Sequence, residues 1–149
     1  MLDIDSLDNG PLAAVVLNTL LTHYNIGLLW ADGELRLRYV SENIFSLLAP
    51  APEHPVSTLY EICPELVGYE EILKDVAQQR SAPFQIEFIN RGESEINPRY
   101  INVTAYPAPA PDGLAGVLVL VEDTTSLGII AQDLRDRRNQ MILLKKGYR

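Results

Sequence analysis

Two histidines, His23 and His54, and one cysteine, Cys63, are the chain's whole supply of imidazole and thiol. They stand far apart and match no metal-ligand spacing, and a single cysteine excludes an internal disulfide. Cys63 lies in the run Glu61-Ile62-Cys63-Pro64-Glu65-Leu66. Acidic neighbours raise a thiol pKa, so this cysteine reads as a small buried hydrophobe and not as a nucleophile. Glu70-Glu71 is a carboxylate pair of the kind that a polar helix face leaves in water. There is no glycine-rich phosphate loop, no HExxH and no GxSxG. The sequence therefore predicts a non-catalytic chain with no metal site.

The 149 residues suffice for one domain with a real core. Residues 1–123 carry 6 basic and 18 acidic side chains, whereas residues 124–149 carry 6 basic and 2 acidic. An acidic body argues against a nucleic-acid partner. The basic tail (Arg135, Arg137, Arg138, Lys145, Lys146 and Arg149) suits a helix C-terminus, where the dipole favours cations, or docking on the acidic body of a neighbouring chain. Met1 is followed by Asp3, Asp5 and Asp8 without a basic stretch, and no apolar run approaches the roughly 18 residues of a spanning helix. These features predict a cytoplasmic protein without membrane insertion.

Periodicity supplies the elements. Leu12 to Tyr24 has a helical stripe, and Pro11 suits its first turn. Two strands, Asn25 to Ala31 and Leu35 to Tyr39, flank Asp32-Gly33, a strong hairpin signal. A short helix over Glu42 to Leu48 runs into a proline-rich loop over Ala49 to Val56. A helical turn over Thr58 to Leu66 and a helix over Tyr69 to Gln79 follow. Phe84 to Asn90, Tyr100 to Pro107 and Leu114 to Glu122 read as strands, with Phe84, Ile86 and Phe88 on one buried face. Thr124 to Lys145 reads as a helix. In it Leu127, Ile130, Leu134, Met141 and Leu144 recur at alternating steps of three and four, with Arg137 in place of one apolar member. So short a seam is marginal alone and calls for a partner helix. Leu17, Leu20 and Leu21 of the first helix form a second apolar stripe. The fold class is α+β: a five-stranded antiparallel sheet with short helices on one face, flanked by N-terminal and C-terminal helices.

Several pieces together resemble the PAS family of sensor domains. They are the strand and turn Ile26-Gly27-Leu28-Leu29-Trp30-Ala31-Asp32-Gly33, Asn43 at the next helix, and Gly116-Val117-Leu118-Val119-Leu120-Val121-Glu122-Asp123-Thr124-Thr125, an apolar strand closing on Asp-x-Thr before a helix. The resemblance spans roughly residues 17 to 136. It divides the chain into an acidic leader with a flanking helix (1–24), a PAS core (25–123) and a C-terminal signalling helix (124–149).

The resemblance implies a cavity between the sheet and its helices, lined by Trp30, Leu37, Tyr39, Asn43, Phe45, Ile72, Val76, Phe84, Ile86, Phe88, Val103, Leu118 and Leu120. In some relatives such a cavity takes a small molecule, and in others it is core; Asn43, Tyr39 and Tyr106 are the candidate polar contacts. It also implies that Asp123 and Thr125 transmit the domain's state to the tail helix and onward to an effector such as a histidine kinase or a cyclase, as in a two-component system. Capping of the helix by these residues is the plainer role, and the two are compatible. The family commonly forms homodimers through flanking helices. Haem is disfavoured because the helix matching the relatives' axial-histidine helix, Tyr69 to Arg80, has no His. Flavin photochemistry is disfavoured because Cys63 lacks the Gly-x-Asn-Cys-Arg-like context of light-sensing relatives. The cofactor is thus left open. The expected function is a sensory input domain, with a ligand-free dimerisation and docking module as the alternative.

Overall fold

The computed structural model describes residues 11–48, 55–92, 96–109 and 113–146. The acidic leader, His54 with most of the proline-rich loop, and Asp112 of the last turn lie outside those residues. The elements, in chain order, are α1 (Pro11–Tyr24), β1 (Ile26–Asp32), β2 (Leu37–Val40), α2 (Ile44–Leu48), α3 (Leu59–Ile62), a 3-10 turn (Pro64–Leu66), α4 (Glu70–Ala77), β3 (Phe84–Asn90), β4 (Tyr100–Pro107), β5 (Gly116–Asp123) and α5 (Thr125–Lys145). The five strands make one antiparallel sheet in the order β2-β1-β5-β4-β3. The expected α+β architecture is the observed one. The first and last strands are neighbours at its centre.

The sheet has an inner face under the short helices and an outer face. Gly27, Leu29 and Ala31 of β1, Val117, Val119 and Val121 of β5, and Ile101, Val103 and Ala105 of β4 are buried on the inner face. Ile44, Leu59, Leu66 and Leu73 from the helices and the 3-10 turn pack on them, all with no exposed surface. The small inner residues let the helices come close. A Cβ at Gly27 would collide with Ile44 Cδ1, so α2 sits directly on the β1 backbone.

Two expected local structures differ. Asp32-Gly33 does not form a two-residue turn: Asp32 N–H donates to the Arg36 carbonyl at 2.9 Å, and the left-handed residue is Leu35, with φ 63°. The Asp32 carboxylate organises this wider loop. It accepts the N–H groups of Glu34 and Arg36, both at 3.0 Å, and pairs with Arg36 at 3.4 Å and Arg38 at 3.1 Å. In β3 the register slips between Ile86 and Ile89, a bulge that turns Phe88 (φ 52°) out of the core and puts Ile89 in its place.

Burial opposes ionisation of Asp32, but the two N–H donors and the two guanidinium groups outweigh it and hold its pKa below the ordinary carboxylate value. A depressed folded-state pKa gives stability that is present above the unfolded value, near 4, and lost as pH falls through the folded one. Asp32→Ala is therefore expected to lower the melting midpoint most at neutral pH. The gap to the wild type should close as pH falls below about 4. A gap that stays constant down that acid limb would refute the role.

Candidate functional site

The two flanking helices are rooted at one corner of the sheet, because β1 begins where the neighbouring β5 ends. Helix α1 stops at Tyr24, and Asn25 follows in the left-handed conformation (φ 54°), which asparagine tolerates well at a helix end. The Asn25 carbonyl then accepts the N–H of Asp123 at 3.1 Å, extending the Ile26–Glu122 register by one step. The end of one helix is thus bonded to the start of the other.

From Asp123 the bonds run into α5. Asp123 Oδ1 accepts the Thr125 N–H at 2.9 Å and the Thr125 hydroxyl at 2.6 Å. The Thr125 oxygen in turn accepts the Tyr100 N–H at 3.2 Å, and Thr124 N–H donates to the Tyr100 carbonyl at 2.8 Å. The Tyr100 ring lies against Gly128, where a Cβ would meet ring carbons at 2.5 Å. Asn102, one step inside Tyr100, accepts the Thr124 hydroxyl at 3.4 Å and the N–H of the bulge residue Phe88 at 2.8 Å. The carboxylate and hydroxyl singled out in sequence therefore meet, with Asp123 satisfying a first-turn donor that the helix itself leaves free. Tyr100, Asn102 and Asn25 were missed. Their roles depend on strand pairing, and only the Asn after a helical stripe carries a local sign.

On the other side of the corner, Asn43 Nδ2 donates to the Ile26 carbonyl at 2.7 Å, and its Oδ1 accepts the Ser41 hydroxyl at 2.8 Å. Ser41 Oγ accepts the Leu28 N–H at 2.9 Å. Asn43 is thus engaged in pinning α2 to β1, which corrects its place among the cavity's polar contacts.

The expected cavity lining divides. Leu37, Phe45, Phe84, Ile86 and Val103 lie in or against the inner-face core, and Val76 is fully buried on α4. Trp30, Leu118 and Leu120 alternate away from it. Trp30 pairs with both Leu118 and Tyr39, which puts Tyr39 on the outer face as well. Phe88 is turned out by the bulge, Ile72 is exposed on α4, and Tyr106 is exposed on β4. These residues cannot share an inner-face cavity with the first group.

Open clefts among the described residues lie elsewhere, and two of them are larger than the third. One of about 530 Å³ is flanked by Asn90, Tyr100 and the Ile129, Gln132 and Asp133 face of α5. The other, of about 380 Å³, lies at Asp32, Arg36 and Arg38. Within the core, Cys63 is fully buried, and burial, then Glu65, push its thiol up to about 12 against the opposing charge of Arg91. Tyr60 Oη is buried without a hydrogen-bond partner, and burial, then Glu70, raise its pKa, so the hydroxyl keeps its proton. Among the described residues no group of three or more His, Cys, Asp and Glu could hold a metal ion.

Both flanking helices leave apolar surface open. Leu17 and Leu20 of α1 are exposed, whereas Leu21 is buried at 6% exposure, which removes it from the expected seam. Leu127, Ile130, Leu134, Met141 and Leu144 of α5 are all more than half exposed. Among the described residues no helix is long and apolar enough to cross a membrane.

No family model matches the sequence, and no curated protein is significantly similar to it. Solved structures do match. The chain is similar to a sensory box histidine kinase/response regulator from Burkholderia thailandensis (16% identity, 84% of this chain and 96% of that one, TM-score 0.57). It is also similar to the PAS domain of nitrogen regulation protein NR(II) from Vibrio parahaemolyticus (16% identity, 76% and 99%, TM-score 0.50).

The chain has the PAS fold.

A third similar structure is the phage VqmA-DPO complex, at 14% identity over 83% of this chain and 60% of that one, with TM-score 0.52. In PAS-fold terms, the corner built from Asn25, Tyr100, Asp123 and Thr125 is where the sheet hands over to the C-terminal helix.

Proposed function

We propose that this PAS-fold chain is a sensory signalling module that relays the state of its body through α5 to an effector such as a histidine kinase or a cyclase, and is not itself an enzyme. The observation that carries the reading is the corner, where Asp123 joins Asn25 to Thr125 in one hydrogen-bonded series. A change at α2, β1 or β4 reaches α5 through two or three bonds. Residues 1–24, 25–123 and 124–149 act as input flank, core and output helix. The working unit is a cytoplasmic homodimer joined through Leu17 and Leu20 of α1 and the α5 seam. The similar structure of a sensory box histidine kinase/response regulator supports that effector class.

Asp123→Ala tests the relay. Loss of a cap costs about 1 kcal/mol, so the midpoint should fall by only a few degrees. Hydrogen exchange should speed up at Thr125 and through the first turn of α5 while the central strands stay protected. A uniform loss of protection across the sheet would make Asp123 a purely structural residue.

A second reading, a small-molecule sensor, is favoured by the Tyr60 hydroxyl. A buried hydroxyl with no partner costs about 1–3 kcal/mol, which a ligand's polar group would relieve. On this reading Leu37, Phe45, Val76, Phe84, Ile86 and Val103 supply the apolar walls. Native mass spectrometry of the purified chain decides it. A retained small molecule supports the sensor, and a clean apo dimer supports ligand-free docking.

A further inference from the structure

The end of β1 carries a charged cluster that the corner does not use. Residues 1–123 hold six basic side chains, and two of them, Arg36 and Arg38, meet over one carboxylate. Asp32 is buried, and its Oδ1 is taken by the N–H groups of Glu34 and Arg36. Its Oδ2 pairs with Arg36 Nε at 3.4 Å and with a terminal nitrogen of Arg38 at 3.1 Å. A guanidinium has five N–H donors, so this pairing leaves each arginine most of its fork. The two side chains are 64% and 46% exposed, and both line the cleft of about 380 Å³. The buried carboxylate thus holds both guanidinium groups at one spot before any ligand arrives, which lowers the ordering cost of binding. It offsets only one of their two charges. Another part of the lining is apolar, from Ala115 and the exposed Leu114 ahead of β5. The loops after β1 and before β5 touch at Gly33, where a Cβ would stand 3.2 Å from the Ala115 carbonyl.

We propose that this cleft binds a small monocarboxylate, its carboxylate bridging Arg36 and Arg38 and its apolar chain lying along Leu114 and Ala115. The planar fork of a guanidinium matches the two oxygens of a carboxylate. Charge selects the ligand further. Asp32 offsets one arginine and a monoanion offsets the other, while Glu34 on the same cleft repels the second charge of a phosphate dianion. The cleft is separate from the inner-face core and from the corner. Asp32 pairs with Gly116 at one end of the β1–β5 register and Ile26 with Glu122 at the other, about 20 Å away. Neither the relay nor the Tyr60 hydroxyl enters this binding.

The experiment titrates the full chain with sodium butyrate, and in parallel with sodium acetate, phosphate and chloride at matched ionic strength. Amide NMR shifts are followed at Glu34 and Arg36, whose N–H groups bond to Asp32. Saturable shifts are expected with the two carboxylates, and affinity should rise about two- to fourfold for each added CH2. Arg36→Gln and Arg38→Gln should each weaken butyrate binding on the order of tenfold while the central strands keep their shifts. Glu34→Gln should tighten it. No saturable shift with butyrate, or an equal response to chloride, would overturn the site, since screening alone explains the latter. Phosphate binding as tightly as butyrate would overturn the carboxylate assignment. If the arginine variants disturb the central strands, Leu114→Ser, which leaves the Asp32 bonds alone, carries the test. It should abolish the preference for butyrate over acetate, and a preference that survives would overturn the apolar half of the site.

Discussion

Arg91→Ala is expected to lower the melting midpoint by about 5–10 °C, a larger loss of global stability than the cap variant Asp123→Ala should bring. Arg91 follows β3 and reaches across to the helical layer. Its Nε and one terminal nitrogen bind both oxygens of Glu65, the latter contact at 2.7 Å. The same terminal nitrogen donates to the Ile62 carbonyl at 3.1 Å, and the other donates to the Leu48 carbonyl at 3.5 Å. One guanidinium therefore ties together the ends of α2 and α3 and the 3-10 turn. Removing one partner of a buried ion pair costs about 3–5 kcal/mol. Arg91 and Glu65 keep 19% and 20% of their side-chain exposure, which brings the expected loss to about 2–3 kcal/mol.

The network also predicts an asymmetry. Glu65→Ala leaves Arg91 its two carbonyl acceptors and some water, so it should cost less than Arg91→Ala. The double variant should be little worse than Arg91→Ala alone. Arg91→Lys should not rescue, because an ammonium cannot reach both carboxylate oxygens and the carbonyls from one fixed fork. Thermal melts of the four variants check this cycle. A midpoint within about 2 °C of the wild type for Arg91→Ala would show that the helical layer holds without its clasp.

The elements were legible because each follows from a local signal: a helical stripe, an alternating run, a proline or a glycine. Their order was enough to suggest the sheet and its resemblance to PAS domains. The phase of the central strands was not legible. On β1 and β5 both alternate sets are apolar, Leu28 and Trp30 against Leu29 and Ala31, and Leu118 and Leu120 against the three valines. Period-two reasoning then says nothing about which set faces the helices. The resemblance puts the larger Trp30, Leu118 and Leu120 inward, whereas the close approach of α2 over Gly27 demands the smaller residues there. Phe88 failed for a different reason, since a bulge adds one residue and flips everything beyond it. The Asp123–Thr125 contact is local and was visible. Tyr100, Asn102 and Arg91 act across pairings of distant segments, and no pattern within their own segments marks them.

Gly128→Ala is expected to give the largest local change, at the root of α5. An exposed alanine would stabilise a helix by about 1 kcal/mol over glycine. Here the new Cβ would meet Tyr100 Cγ and Cδ2 at 2.5 Å and Tyr100 Cβ at 2.9 Å. The Cβ of Tyr100 is fixed to the β4 backbone, so rotating the ring cannot clear the clash, and overpacking of this kind costs about 1–3 kcal/mol. The strain has one easy outlet, which is for α5 to lift away from β4. That movement gives up the Thr124 N–H bond to the Tyr100 carbonyl and the Tyr100 N–H bond to Thr125. Hydrogen exchange at Thr124 and Tyr100 should accelerate on the order of tenfold to a hundredfold. Helix content should stay the same or rise, and β1 and β5 should keep their protection. Tyr100→Gly removes the whole obstacle, Cβ included, so the double variant should seat α5 again through the Tyr100 backbone positions, which survive the side-chain change. Unchanged exchange at Thr124 in Gly128→Ala would mean that the ring yields and the helix does not. On the relay reading, the lifted helix is the output state reached without any input. The same substitution in a chain bearing an effector should then fix that effector's activity at one level.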